Sequence, residues 1–180
     1  MTRPKNTAPV ELVVLDVETT GIKPEDGHSV IEIAGQRIRG TEIIGVFDAL
    51  LSLDRPIGAE SIAIHGITDE MLEVDGRARA EVLTEFREFI DGAVLVGHNI
   101  SFDLGFLNSE YAGLGLPPLD NETIDTIQIA KKYLLIASYS LKNVAAYLGV
   151  PQSTAHRALA DVETTREVLF KLIERAKLKK

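Results

Sequence analysis

Acidic side chains recur at three places in the sequence, and together they could hold metal ions. Asp16 and Glu18 stand two positions apart near the end of an apolar segment. Asp103 follows a second, shorter apolar segment, and Asp161 follows His156 by five residues. Carboxylate oxygens are the ligands that the hard cations Mg²⁺ and Mn²⁺ prefer in proteins. The four acids could therefore bind such ions if the fold brings them together.

The chemistry open to such a site is the hydrolysis of a phosphate ester. Two cations bound roughly 3.5–4 Å apart activate a water molecule and stabilise the leaving oxygen during in-line attack on phosphorus. Imidazole titrates close to neutral pH, so His156 is the candidate general base for that water. The sequence contains no cysteine, which excludes thiolate metal sites and disulfides.

Each of these groups also has an ordinary structural explanation. An Asp-x-Glu pair at a strand end often only meets solvent. Asp103 could simply stabilise the first turn of a helix through the helix dipole. His156 could be a hydrogen-bonded residue at a helix start, and Asp161 could pair with Arg157 or Arg166. The combination of four acids with one histidine favours a site over these separate explanations.

Hydrophobic patterns predict where the acids lie in the fold. The valine-rich run 11–17 is typical of a strand buried on both faces. Because side chains alternate along a strand, Asp16 and Glu18 are expected to project to the same face of the sheet. Further strands are predicted at residues 29–39 and 41–51, which form a hairpin around Gly40, and at residues 93–96.

Helical periods and capping residues predict the remaining elements. The chain is expected to leave the sheet through the breakers in residues 54–58 and to reach its first, short helix at the N-cap Thr68. Longer helices are predicted over residues 78–90, from about 102 to 111, over 123–135 and 140–148, and from about 157 onwards. The order of elements predicts a single α/β domain over residues 11–178, after a polar leader at 1–10.

Composition sets limits on the class of protein. The chain has 180 residues, of which 45% are hydrophobic and 26% charged, as in a single folded domain. No apolar run reaches the roughly 20 residues of a membrane helix and no signal core is present, so a cytoplasmic protein without a membrane partner is expected. The net charge of −8 argues mildly against a broad basic surface for nucleic acid. Bound cations would change the field that a phosphate meets, so nucleic acid stays a candidate partner.

Three motifs follow one another with a characteristic order and spacing. They read Asp-Val-Glu-Thr-Thr-Gly from Asp16, His-Asn-Ile-Ser-Phe-Asp from His98, and His-Arg-Ala-Leu-Ala-Asp from His156. An Ile-His-Gly-Ile-Thr segment begins at Ile64, between the first two. Across nearly the whole chain, the sequence resembles the DEDDh 3′→5′ exonucleases, and among them the epsilon-type proofreading exonucleases of bacterial DNA polymerase III. In that family the Ile-His-Gly segment lies beside the terminal nucleotide of the substrate.

The resemblance implies a ribonuclease H-like α/β fold with a central mixed sheet of about five strands flanked by helices. It implies a 3′→5′ exonuclease that acts on single-stranded or frayed DNA ends and releases nucleoside 5′-monophosphates. The implied ligands of two Mg²⁺ or Mn²⁺ ions are Asp16, Glu18, Asp103 and Asp161, with His156 deprotonating the attacking water. The residues implied to position the terminal nucleotides, through hydroxyl, backbone and stacking contacts, are Val17, Thr19, Thr20, His65, His98, Asn99 and Phe102.

The sequence leaves the biological setting open. DNA is the expected substrate, but RNA is an alternative because metal chemistry at phosphate does not itself read the 2′-hydroxyl. Exonucleases of the epsilon type join their polymerase through a tail after the catalytic domain, and this sequence does not show such a tail. A repair or trimming enzyme is therefore an alternative to a polymerase-bound proofreader. Two other classes are a binding module that holds strand ends without cutting and a structural or nucleotide-binding domain with solvated acids.

Overall fold

The computed structural model describes residues 10–152 and 157–178, which form a five-stranded sheet with helices packed on both faces. The strands are β1 (Glu11–Thr19), β2 (Val30–Arg39), β3 (Glu42–Leu50), β4 (Val94–Gly97) and β5 (Thr123–Asp125). The helices are α1 (Ala59–His65), α2 (Asp69–Asp75), α3 (Arg79–Phe89), α4 (Ile100–Gly113), α5 (Thr126–Tyr133), α6 (Leu141–Leu148) and α7 (Ala158–Leu178). The expected α/β architecture with a mixed central sheet is confirmed.

Strand β1 lies in the middle of the sheet, whose order is β3-β2-β1-β4-β5. It pairs antiparallel with β2 and parallel with β4, and β4 pairs parallel with β5. Strands β2 and β3 form the predicted hairpin. At its turn Gly40 takes a φ of +65°, a left-handed conformation that glycine adopts without strain.

The valine-rich β1 is buried on both faces, as its composition predicts. Val13 and Leu15 pack in a cluster with Phe86 of α3 and Phe106 of α4. Val14 points to the opposite face and packs with residues of α7. Burying one such aliphatic side chain stabilises a fold by roughly 1.5–3 kcal/mol, so β1 is held firmly from both sides. The even-numbered positions of β1 therefore face α7.

The prediction of a helix over residues 123–135 is wrong at its beginning. Thr123–Asp125 is strand β5, which extends the sheet beside β4, and α5 starts only at Thr126. Three residues are too few for an alternating pattern, so only the pairing with β4 reveals this strand. Asp125 then caps α5, because its side chain accepts a hydrogen bond from the backbone N–H of Ile127 at 2.8 Å.

Helix α1 is an element that the sequence pattern did not predict. It follows Gly58 directly, has no side-chain N-cap, and ends at Gly66 with a φ of +72°. Seven residues without a capping residue give little helical signal. The next prediction is confirmed, since the Thr68 hydroxyl accepts a hydrogen bond from the N–H of Met71 at the start of α2. Among the residues that the structure describes, none of the helices has the length and apolarity needed to span a bilayer.

Candidate active site

Acidic side chains from β1 and α7 meet at one end of the sheet. Asp16 and Glu18 continue the even-numbered positions of β1 that face α7, and Asp161 lies in the first turn of α7. One carboxylate oxygen from each of these three residues lies within 4.8 Å of the other two. All three side chains are partly exposed, so a ligand can reach them from solvent. The structure thus brings together three of the four predicted acids.

The fourth acid, Asp103, reaches the same region from α4 but is nearly enclosed. Its side chain is 4% exposed, and its Oδ1 atom accepts a hydrogen bond from the backbone N–H of Val17 at 3.1 Å. Val17 stands between Asp16 and Glu18, so this bond fixes the first turn of α4 against the part of β1 that carries both acids. Asp103 is therefore adjacent to the three-acid group and does more than stabilise its own helix.

Burial, together with repulsion between neighbouring charges, makes these acids hard to ionise. Burial raises the pKa of Asp16 well above its ordinary value, and the charges of Asp103 and Glu18 raise it further. Burial, followed by the charge of Asp161, raises the pKa of Glu18 to about 8. Burial also raises the pKa of Asp103 to about 7. In the absence of a cation, the fold therefore favours protonated carboxyl groups at neutral pH.

The donor set of this acidic group fits a hard divalent cation. All of its donors are carboxylate oxygens, and close carboxylates that resist ionisation become favourable once a divalent charge lies among them. Asp16, Glu18 and Asp161 would hold such an ion directly, with Asp103 beside them. The residues therefore suit a hard divalent cation better than a soft metal, which would require softer ligands such as thiolates.

A cavity of about 650 Å³ adjoins the acidic group, because Glu18 forms part of its lining. The size lies within the usual range for small-molecule sites. Five of the seven residues predicted to position nucleotides line it, namely Val17, Thr19, Thr20, His65 and Phe102. Exposed apolar side chains of Ile22 and Ile64 also line it. A larger cavity of about 780 Å³ is lined by Glu11 at the opposite end of β1 and contains none of the predicted site residues.

His65 presents an unmatched hydrogen-bond donor beside this cavity. The side chain is 4% exposed, and burial lowers its pKa, which favours the neutral imidazole. Its Nδ1 atom accepts a hydrogen bond from the N–H of Ile67 at 3.0 Å, which places the ring proton on Nε2. Within residues 10–152 and 157–178, the buried Nε2 atom has no hydrogen-bond partner. A bound nucleotide could supply the missing acceptor.

The structure places His98 and Asn99 in the loop between β4 and α4, outside the cavity lining. The ring nitrogens of His98 lie 2.8 Å from the Thr126 hydroxyl and 2.8 Å from the Tyr139 carbonyl oxygen. Asn99 has a φ of +75°, and its N–H donates to Asp125 Oδ1 at 3.1 Å. Both residues shape the loop that leads to Asp103. Their predicted contacts with substrate stay predictions.

Sequence reasoning missed Glu32, a buried acid of β2 that lies next to the site. Glu32 is directly opposite Glu18 in the β1–β2 register and is 1% exposed. It forms an ion pair with Arg157. The signal that could have revealed it is a charged residue inside the apolar run Val-Ile-Glu-Ile-Ala. The predicted base His156 lies outside the described residues.

Comparison with known proteins matches this chain to a defined family. Residues 13–169 match the family model RNase_T, which describes exonucleases. The DNA polymerase III PolC-type of Thermotoga maritima is 38% identical over 165 residues, which cover 92% of this chain and 12% of that protein. The PolC-type protein of Bacillus subtilis is 37% identical over 166 residues, which cover 91% of this chain and 11% of that protein. The chain thus spans about one eighth or less of the length of these relatives.

The solved structures that resemble this chain include two exonucleases. Exonuclease X in complex with 5′-overhanging duplex DNA has a TM-score of 0.72 and 26% identity, and the match covers 92% of this chain and 93% of that one. Escherichia coli exonuclease I in complex with a dT13 oligonucleotide has a TM-score of 0.82 and 20% identity, covering 94% of this chain and 42% of that one. The second likeness supports the fold alone, which is ribonuclease H-like as expected.

Proposed function

The chain belongs to the RNase_T family of exonucleases, and from this membership we propose that it is a metal-dependent 3′→5′ exodeoxyribonuclease. It hydrolyses phosphodiester bonds at the 3′ end of single-stranded or frayed DNA and releases nucleoside 5′-monophosphates. The observation that carries this proposal is the meeting of three carboxylate oxygens within 4.8 Å, beside a cavity of about 650 Å³. Acids and cavity together provide a phosphate site next to a space for the terminal nucleotide.

Each part of the site has a role in the proposed reaction. The four acids would hold two Mg²⁺ or Mn²⁺ ions, which would supply charge stabilisation at the phosphate and lower the pKa of the attacking water. Phe102 and the apolar side chains of the cavity orient the terminal nucleotide, and His65 offers its Nε2–H to it. His156 takes the proton from the attacking water. This last role rests on the third sequence motif.

The substrate and setting are inferred from the relatives. Exonuclease X is described in complex with duplex DNA, which favours DNA over RNA for this chain. The relatives from Thermotoga and Bacillus are DNA polymerases, and this chain covers only a small part of each. The proposed setting is proofreading or repair in the cytoplasm, either beside a polymerase or as a separate enzyme.

Digestion of labelled oligonucleotides tests the proposed function. DNA and RNA strands labelled at the 3′ or the 5′ end are incubated with the protein in Mg²⁺, Mn²⁺ or EDTA. The expected result is a ladder on 5′-labelled DNA and early loss of label from 3′-labelled DNA, both abolished by EDTA. Intact strands in both metals, with a protein shown to be folded, would exclude an exonuclease and favour a module that only holds strand ends.

Replacing Phe102 by alanine is expected to raise KM far more than it lowers kcat. Stacking of a base on an aromatic ring is worth about 1–3 kcal/mol, so KM should rise roughly 5- to 150-fold. Steady-state kinetics on a short DNA strand measures both constants. The matched control is Phe47→Ala, because Phe47 also packs against aromatic rings but lies outside the cavity lining. An unchanged KM for Phe102→Ala, or an equal rise for Phe47→Ala, would contradict the assignment.

A further inference from the structure

Glu32 is a buried carboxylate that the proposed reaction does not use. It lies on β2, opposite Glu18, and shares the sheet face that packs against α7. With 1% of its surface exposed, it has lost nearly all contact with water. A buried charge of this kind is strongly unfavourable unless it is paired and hydrogen-bonded. The hydrogen-bond partners of Glu32 therefore indicate its role in the fold.

Both oxygens of Glu32 bind the beginning of α7. Oε1 accepts a hydrogen bond from Nε of Arg157 at 2.8 Å and a second from Nη2 of the same guanidinium group. Oε2 accepts the backbone N–H of Ala158, the first residue of α7, at 2.9 Å. A carboxylate at a helix N-terminus also interacts favourably with the helix dipole. Glu32 thus connects the sheet to the first turn of α7 by three hydrogen bonds.

The same turn of α7 carries Asp161. The backbone N–H of Asp161 donates to the carbonyl oxygen of Arg157 at 3.1 Å, so the residue that Glu32 binds is part of the turn that ends at Asp161. Asp161 must lie close to Asp16 and Glu18 to complete the three-acid group. A shift of the first turn of α7 along the sheet would move one acid relative to the other two.

Other contacts already hold α7 on the sheet further along the helix. Val162 and Leu169 are buried in the cluster that contains Val14. Nη1 of Arg166 donates to Oε1 of the buried Gln36 at 2.7 Å, which is a second polar contact between α7 and β2. Docking of the helix therefore does not depend on Glu32 alone. The contribution of Glu32 is to fix the position of the first turn of α7.

We infer that Glu32, through Arg157 and the start of α7, is a positioning residue that sets Asp161 against Asp16 and Glu18 for metal binding. The inference rests on the proposed function in assuming that the three-acid group binds a cation. Glu32 itself acts outside the ligand set, because its two oxygens are engaged with Arg157 and Ala158. Residues that orient metal ligands in this way usually change metal affinity or activity by about 10- to 100-fold when they are replaced.

The test compares Glu32→Gln with Gln36→Ala, which removes the other polar contact between the same strand and helix. Calorimetric titration with Mn²⁺ measures metal affinity, and steady-state kinetics on a DNA strand measures kcat and KM. For Glu32→Gln, the Kd for Mn²⁺ is expected to rise and kcat to fall, each by about 10- to 100-fold, with KM nearly unchanged. For Gln36→Ala, a lower melting temperature is expected, with Mn²⁺ affinity and kcat as in the wild type.

The outcomes separate this inference from the proposed function. Wild-type Mn²⁺ affinity and kcat in Glu32→Gln would overturn the inference, as would an equal loss in Gln36→Ala, which would indicate general docking of α7. If the wild-type protein binds Mn²⁺ but cuts no DNA, the proposed function fails while the Mn²⁺ affinities still decide the role of Glu32. Should Glu32→Gln fail to fold, the same two measurements on Arg157→Gln decide it, because the Arg157 side chain is 36% exposed.

Discussion

Replacing Asp16 by asparagine is expected to lower kcat by about 10³-fold and, at the same time, to make the metal-free protein more stable. Charge stabilisation by a bound metal is worth several kcal/mol in a transition state, and each 1.36 kcal/mol corresponds to a factor of ten in rate. The gain in stability has a different cause. Burial raises the pKa of Asp16, and the charges of Asp103, Glu18 and Asp161 raise it further. An amide of the same shape relieves that repulsion.

The effect of Asp16→Asn on stability should depend on pH. The pKa values of Glu18 and Asp103 rise from 4.5 to about 8 and from 3.8 to about 7 in the folded chain, and that of Asp16 is also raised. The folded state therefore binds protons more tightly than the unfolded state. By linkage, the stability of the metal-free protein falls as the pH rises between about 4 and about 8. The variant has one such group fewer, so its stability should fall less over this range.

Thermal unfolding in EDTA at pH 5 and pH 8 measures this difference. At pH 8 the melting temperature of Asp16→Asn should exceed that of the wild type by at least about 2–4 °C, the shift that about 1 kcal/mol produces in a chain of this size. At pH 5, which lies closer to the ordinary pKa of an aspartate, the difference should be smaller. Added Mn²⁺ should stabilise the wild type and have much less effect on the variant. Asp54→Asn is the matched control, because the Asp54 side chain is 94% exposed and is not part of the three-acid group. A variant that melts below the wild type at pH 8 in EDTA would contradict the repulsion argument.

Asp16 is expected to support activity while lowering the stability of the metal-free protein. The sheet around the site must therefore hold the acids together against their repulsion. The three residues of β1 directly before Asp16, namely Val13, Val14 and Leu15, are apolar and buried, so the strand is fixed before it presents the two acids. Burial in the sheet and against α7 keeps Asp16 and Glu18 in place, and it also raises their pKa values. A rigid scaffold therefore sustains a group of like charges that a loosely packed strand end would separate.

Much of this arrangement could be predicted from local sequence pattern. Alternation along the run that contains Val14 places Asp16 and Glu18 on one face. This prediction depends only on residues near one another in the chain. The prediction that the four acids form one site depended on the order and spacing of the three motifs.

The features that the sequence did not predict depend on contacts between distant residues. Strand β5 is recognisable only by its pairing with β4. The bond between Asp103 and the N–H of Val17 joins positions 86 residues apart, and the bonds of Glu32 to Arg157 and Ala158 join positions 125 and 126 apart. An isolated acid in a strand gives no indication of its partner. Such residues become interpretable only when the fold shows what they bind.

Replacing His156 by alanine is expected to lower kcat by about 10²- to 10⁴-fold, the usual contribution of a general base. In the wild type, activity should fall at acidic pH because a protonated imidazole cannot accept a proton from water. That acidic limb should be absent from the pH profile of the variant. Since His156 is proposed as a base and is not among the proposed ligands, the affinity for Mn²⁺ should stay as in the wild type.

The pH profile of kcat and the Mn²⁺ affinity together separate a base from a ligand. Loss of both activity and Mn²⁺ binding in His156→Ala would make the histidine a metal ligand, whereas full activity would exclude both roles. Partial restoration of activity by added imidazole would support a proton-transfer role directly. Gln152→Ala is a suitable control, because Gln152 precedes α7 in the same connecting segment and its Nε2 atom donates to the carbonyl oxygen of Lys142 at 3.1 Å, away from the acids. A comparable loss in that variant would mean that the segment as a whole, and not the imidazole, is what the reaction requires.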